Sequence, residues 1–197
     1  TSDRDPIDVD TQFNFFNPKL GLTHRFDENH SIYASYAKAN REPNRNDFEG
    51  GNSQHESLDD YELGWRFSNE KVKLNTNIYY MDYQNHLILT GAIDPNSGEP
   101  LRSSSGNSYR LGIEIDADIQ LDKTLWIRPN IAFSENVNQD YYAEIDGVLT
   151  NLGDTPITFS PDIIFGNALV YQPIANLQLA FLSKYVGKQF MSNLNST

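Results

Sequence analysis

Residues 109–121 read YRLGIEIDADIQL and divide their side chains evenly between two chemistries. Tyr109, Leu111, Ile113, Ile115, Ala117, Ile119 and Leu121 are apolar or aromatic, while Arg110, Gly112, Glu114, Asp116, Asp118 and Gln120 carry no large apolar group. A helix would spread these residues around its circumference, whereas a strand sends alternate side chains to opposite faces. The segment is therefore a strand with one apolar and one charged face. Its apolar face must meet either a protein core or lipid, and that choice governs what the chain can be.

The same alternation recurs from end to end, and no helical period competes with it. A partial strand is expected over Gln12–Phe16, followed by strands over Asn17–Phe26, His30–Asn40, Leu58–Phe67, Lys71 to about Thr90, 109–121, Thr124 to about Tyr142, Ile157–Tyr171 and Leu177 to about Met191. Tight turns fall at Asp27-Glu28-Asn29, Ser68-Asn69-Glu70, Asp122-Lys123 and Gln172 to Asn176; long segments rich in Gly, Pro, Asn and Ser fall between the other pairs. Short and long connections alternate strictly, so antiparallel pairing gathers the short turns at one end and the long loops at the other. Outer-membrane barrels have this asymmetry, while soluble sandwiches mix loop lengths and use strands of about 5–6 residues. Several strands here exceed the ~9–11 residues that cross a bilayer at a tilt. The expected fold is all-β: part of an antiparallel transmembrane β-barrel of about eight long strands, with short turns at one end and long loops at the other.

On this reading the charged face, with Glu62, Arg66, Arg110, Glu114, Asp116, Asp118 and Arg128, lines a polar lumen. In a soluble protein it would be the solvated surface. Trp126 falls on the polar side and spoils the pattern of its strand, and Pro129 removes a ladder donor, so a bulge or local break is expected there. Phe26, Phe67 and Tyr171 lie near short turns, with Tyr36, Tyr61, Tyr80 and Phe133 six to ten residues further along their strands. Two such bands match the aromatic girdles at the two interfaces of a membrane.

Composition narrows the partners. Fifteen Lys and Arg stand against 27 Asp and Glu, a net charge of −12, which opposes binding to nucleic acid or to an anionic membrane surface. There is no cysteine, which excludes disulfides, thiolate metal sites and thiol nucleophiles. No apolar run reaches the ~18 residues of a spanning helix, and TSDRDPIDVD does not read as a signal peptide. A mean hydropathy of −0.58 is no argument against a barrel, which hides its lipid face in alternation.

No catalytic signature is found. HESLD at 55–59 has Asp59 where a zinc protease motif needs histidine, and His24, His30, His55 and His86 are scattered, so no metal site is expected. DPNSGE at 94–99 begins like a calcium loop through Asp94 and Asn96, but Ser105 stands where a bidentate glutamate belongs, and a turn is the better reading. SSSG at 103–106 has the spacing of neither a nucleophile elbow nor a phosphate loop. The expectation is a protein without enzymatic activity or cofactor. The loop ANREPNRNDFEGG differs in kind: Arg41, Arg45 and Asp47 at a strand end form a candidate site for an anionic or chelated ligand, and the bland alternative is that Arg41, Glu42 and Asp47 pair among themselves.

NPKLGLTHRFDENHSIYASYAKANREPNRNDF, with Arg41-Glu42-Pro43 at a strand end, resembles the barrel of a TonB-dependent outer-membrane receptor, of Bacteroidetes-like type. LDDYELGWRFSNEKVKLNTNIYYMDYQNHL resembles the family's next hairpin, through Glu62-Leu63-Gly64 and a Tyr-rich second strand. NSYRLGIEIDADIQL, through Gly112, Glu114 and Asp116, and LGDTPITFSPDIIFGNALVYQP, through Pro156, Ser160 and Pro161, are similar to later strands. The resemblance implies active import of a large scarce ligand (an iron-siderophore, a vitamin or a glycan), with outer-membrane lipid, TonB and a plug domain as partners. It also implies a closed barrel of ~22 strands, so residues 1–197 are expected to be one partial barrel domain from the C-terminal half, without the plug or the final strands. Two alternatives stand beside it: a passive porin or adhesin, and a soluble all-β carbohydrate-binding module.

Overall fold

The computed structural model describes residues 10–49, 53–93, 98, 100–104, 106–145 and 148–193. Eight long strands follow one another as an antiparallel meander: β1 (Lys19–Arg25), β2 (His30–Arg41), β3 (Glu56–Ser68), β4 (Val72–Gln84), β7 (Ser108–Asp122), β8 (Leu125–Asn138), β12 (Ile163–Ile174) and β13 (Leu177–Val186). Shorter strands between them form excursions at one end of the sheet. β5 (Leu87–Ile93) pairs with β6 (Pro100–Ser104), β9 (Tyr142–Ile145) pairs with β10 (Val148–Asn151), and β11 (Thr155–Pro156) pairs with the end of β8. The four tight turns lie together at the opposite end, as the alternation of loop lengths requires. β1 and β13 pair on one side only among the described residues, so the sheet is open.

Several boundaries differ from expectation. The strand drawn from Lys71 to Thr90 ends at Gln84, because Asn85 turns the chain with φ 53° and His86 starts an excursion hairpin. The expected start at Ile157 moves to Ile163, behind a turn in which Phe159 has φ 54°. β8 ends at Asn138 and β13 at Val186, short of Tyr142 and Met191. Gln12–Phe16 forms no strand; Phe13 and Phe15 stack at 5.8 Å and both approach the ring of His55. Among the described residues one five-residue helix, α1 (Arg45–Glu49), interrupts the strands, held by Asn44 and Asp47, each of which accepts the other's backbone N–H at 3.0 and 2.9 Å. Asp94, Asn96 and Ser105 lie outside the described residues.

The register sets the two faces. Ile32, Trp65, Thr76 and Ile115 sit in one row across β2, β3, β4 and β7, with Ala34, Leu63, Ile78, Ile113 and Phe133 in the next. Nothing among the described residues covers this face: Leu22 is 72% exposed, Leu63 53% and Phe181 68%. Tyr36, Tyr61, Tyr80 and Tyr109 form a ladder toward the loop end, with ring centroids 5.1, 6.5 and 6.0 Å apart, and His30, Trp65 and Phe67 cluster toward the turn end. From Tyr109 to Leu121 the apolar face of β7 runs about 40 Å along the strand, about 30 Å in height at a barrel tilt.

On the other face, three glycines act as slots. Gly64, Gly112 and Gly166 lie opposite Tyr33, Tyr79 and Asn130, whose side chains occupy the space where a Cβ would stand. Trp126 lies on this face between Gln120 and Val170, which is the break in alternation seen in sequence. Opposite Pro129 the pairing of β8 with β7 lapses between Asp116↔Asn130 and Ile119↔Ile127, while its pairing with β12 runs through, so the missing N–H is placed on one side only.

Candidate functional site

The polar face is built row by row. Alternation places Glu62, Arg66, Arg110, Glu114, Asp116, Asp118 and Arg128 on the same side of the sheet, and register lines them up with short polar neighbours on adjoining strands. Near the turn end Arg128 Nε donates to Asp118 Oδ2 at 3.0 Å, and Asn75 Nδ2 donates to Asp116 Oδ2 at 2.8 Å. The Arg66 guanidinium lies 4.3 Å over the Tyr33 ring, whose hydroxyl donates to Asn77 Oδ1 at 2.9 Å. Ser35 donates to Glu62 Oε2 at 3.2 Å, and Glu114 stands between Asn77 and Ala132.

The loop end is packed differently. Arg110 Nη1 donates to Asn136 Oδ1 at 2.9 Å and to Ser160 Oγ at 3.0 Å, which ties the sheet to the β8–β12 connection. His86 Nδ1 and Ser108 Oγ share a hydrogen bond of 2.5 Å, and the imidazole stacks on Tyr83 at 4.3 Å. Burial, then the charges of Arg110 and Arg41, push the His86 pKa down to about 4. The ring is therefore neutral at physiological pH. Where the two excursion hairpins meet, a groove of about 570 Å³ is lined by Ser104, Asn107, Gln139, Asp140, Tyr142 and Asp154 among others.

The three rim candidates stand on two elements, Arg41 at the end of β2 and Arg45 and Asp47 on α1. Arg41 stands 3.9 Å from Glu56, its partner across β2 and β3, and Glu56 in turn accepts the backbone N–H of Leu87 at 2.8 Å. Arg45 is exposed at the start of α1. Asp47 is buried in the reciprocal bonds with Asn44. His86, Ser108, Asn136 and Ser160 were not singled out as site residues from sequence. They meet across 22 to 50 residues of chain, and no local spacing announces that.

An open meander with a bare apolar face, a charged reverse face, aromatic bands and all long connections at one end is the wall of an outer-membrane β-barrel. The sequence matches the family model described as TonB dependent receptor-like, beta-barrel, over residues 1–197, and the chain belongs to that family, one of outer-membrane receptors. A search of curated proteins finds no match. Among solved structures the chain is similar to the ferric enterobactin receptor PfeA of Pseudomonas aeruginosa in complex with enterobactin, with TM-score 0.64 and 16% identity over 88% of this chain and 28% of that one. It is similar to the siderophore receptor PirA of the same organism, at 0.63 and 16% over 87% and 30%. It is also similar to the copper transporter OprC, at 0.65 and 15% over 85% and 26%. The chain thus spans less than a third of the length of each.

Proposed function

We propose that residues 1–197 form part of the barrel of a receptor that captures a large scarce ligand at the cell surface and imports it actively, powered through TonB. The apolar face contacts outer-membrane lipid, the polar face lines the lumen around a plug domain, and the loop end recruits the ligand. The observation that carries this reading is the pair of unlike faces on one uncovered sheet: a soluble module would have to bury the rows through Leu63 and Ile113 against a second layer, and the described chain supplies none. On this reading Glu62, Arg66, Arg110, Glu114, Asp116, Asp118 and Arg128 face the plug or the water around it. Arg41 and Arg45 are the rim contacts for the ligand, and Asp47 braces the helix that carries Arg45. The mechanism is binding and gated passage, without covalent chemistry. A ferric siderophore, a vitamin or a glycan would each suit such a barrel, and the neighbours named for enterobactin and siderophores favour testing the first.

Residues 1–197 contain no cysteine, so a thiol introduced here competes with none in this part of the barrel. Spin labels at Ile113→Cys and Glu114→Cys in the lipid-embedded receptor should relax oppositely, the first more strongly with oxygen and the second with a water-soluble nickel chelate. Equal or reversed accessibility would overturn the assignment of faces. Uptake of a labelled ferric siderophore that persists without TonB would overturn active import.

A further inference from the structure

Among the described residues, a cluster of almost fully buried polar groups gathers at the loop end of the sheet. Asn138 is 0% exposed, Asn193 1% and Thr155 1%, and they meet where the segment after β13 folds back over the β8–β12 connection. That segment begins by extending the ladder, Gly187 N–H to Ile163 O at 2.8 Å, and Phe190 O then accepts the N–H of Phe159 at 2.9 Å. Asn193 Oδ1 accepts from the backbone N–H of Thr158 at 3.2 Å and from Asn138 Nδ2 at 3.3 Å. Thr158 O accepts the Ser160 hydroxyl at 3.2 Å, and Ser160 Oγ accepts from Arg110 Nη1.

We infer that Asn193 is a positioning residue: it straps the β8–β12 connection across the loop end of the polar face and, through Thr158 and Ser160, helps Asn136 to hold the guanidinium of Arg110. The physical reason is stakes. Asn193 Oδ1 is the acceptor for the Thr158 N–H in a buried setting, so losing it without letting water in would leave that donor unsatisfied. Phe159 supplies a second argument. It holds a left-handed φ of 54° that a phenylalanine rarely adopts, and the bond from its N–H to Phe190 O, on the strap itself, helps to hold it there. The loop end around Arg110 is therefore a preformed wall, and any closure over a ligand belongs to other loops. This holds whichever ligand the receptor takes.

The test uses the receptor in detergent. Thr158→Cys places a buried thiol at a residue that makes these bonds through its backbone. With Asn193 present, maleimide should label it at least about tenfold more slowly than a thiol at exposed Phe159; Asn193→Ala should abolish that difference, and Asn193→Asp, which keeps the acceptor oxygen, should restore it. As a second readout, Asn193→Ala should move the NMR titration of His86 upward, because a loosened Arg110 no longer opposes the charged ring. Ser160→Ala cuts only the last link. It should shift His86 while leaving Thr158→Cys slow, and it keeps the inference testable if Asn193→Ala fails to fold. Slow labelling that survives Asn193→Ala would overturn the strap, and a His86 titration unmoved by Ser160→Ala would overturn the link to Arg110.

Discussion

Gly64→Ala should destabilise the sheet even though alanine is the better strand residue. An added Cβ would stand 2.0 Å from Tyr33 Cε1, 2.3 Å from Cζ and 2.7 Å from the hydroxyl, well inside the contact distance. The ring must leave its slot. Leaving forfeits the Tyr33 bond to Asn77 and the Arg66 guanidinium stacked on the ring, about 0.5–1.5 and 0.5–1 kcal/mol respectively. An off-rotamer tyrosine adds about 0.5–1.5 kcal/mol. Reduced freedom of the unfolded chain returns about 0.4–1 kcal/mol, leaving a net loss of about 1–3 kcal/mol. The assay is urea unfolding in detergent, followed by the fluorescence of Trp65 and Trp126. In a Tyr33→Ala background the same substitution should be neutral or mildly stabilising, so the cycle should show a coupling of about 1 kcal/mol or more. An equal loss in both backgrounds would refute the slot, since the cost would then arise from backbone rather than from the ring.

Ile115→Arg, in the middle of the apolar face, should cost about 2–4 kcal/mol in lipid vesicles and Leu121→Arg, near the turns, about 0–1 kcal/mol; equal costs would refute a depth-dependent lipid contact. Asp27 accepts the backbone N–H groups of Asn29 and His30 at 2.7 and 2.8 Å, which hold its carboxyl below the usual range. Its contribution is thus present above the unfolded carboxylate value and lost as pH falls through the lowered one. Exchange protection of the β1–β2 hairpin should fade in acid, and Asp27→Asn should remove that dependence. His86, at about 4 against an ordinary 6.5, favours the neutral ring on folding. Protection at the base of the β5–β6 hairpin should therefore be complete above about pH 6.5 and decline as pH falls toward 4, and His86→Gln should abolish the decline.

The faces of the strands were legible because they depend on a local rule. Alternation at 109–121 assigns each side chain of β7 without knowledge of its neighbours, and the positions of the tight turns add the meander. Trp126 and Pro129 announced themselves as exceptions for the same reason. Strand ends were less legible. Asn85 and Phe159 both break the chain through positive φ, and Phe159 carries no compositional warning because the bond that holds it comes from Phe190. Of the rim candidates, Arg41 ends β2, whereas Arg45 lies on α1, and the spacing Asn44 to Asp47 is a helix-capping pattern that the composition of the loop concealed.

Long-range placement explains the rest. The bonds that assemble the loop end join His86 to Ser108, Arg110 to Ser160 and Asn138 to Asn193 across 22, 50 and 55 residues. No periodicity carries such information. The energetic division follows the same line. Of the buried apolar side chains among the described residues, Leu87, Ile88, Tyr141 and Ile157 belong to the long connections, and only Val170 lies on a long strand. The protein's own packed core is thus at the loop end, whereas the strands present their apolar side chains to the surroundings. Lipid must supply for the sheet what a second layer supplies in a sandwich. Removing detergent should therefore leave the loop-end cluster around Asn193 protected from exchange longer than the rows through Leu63 and Ile113; simultaneous loss of both would show that the loop end has no stability of its own.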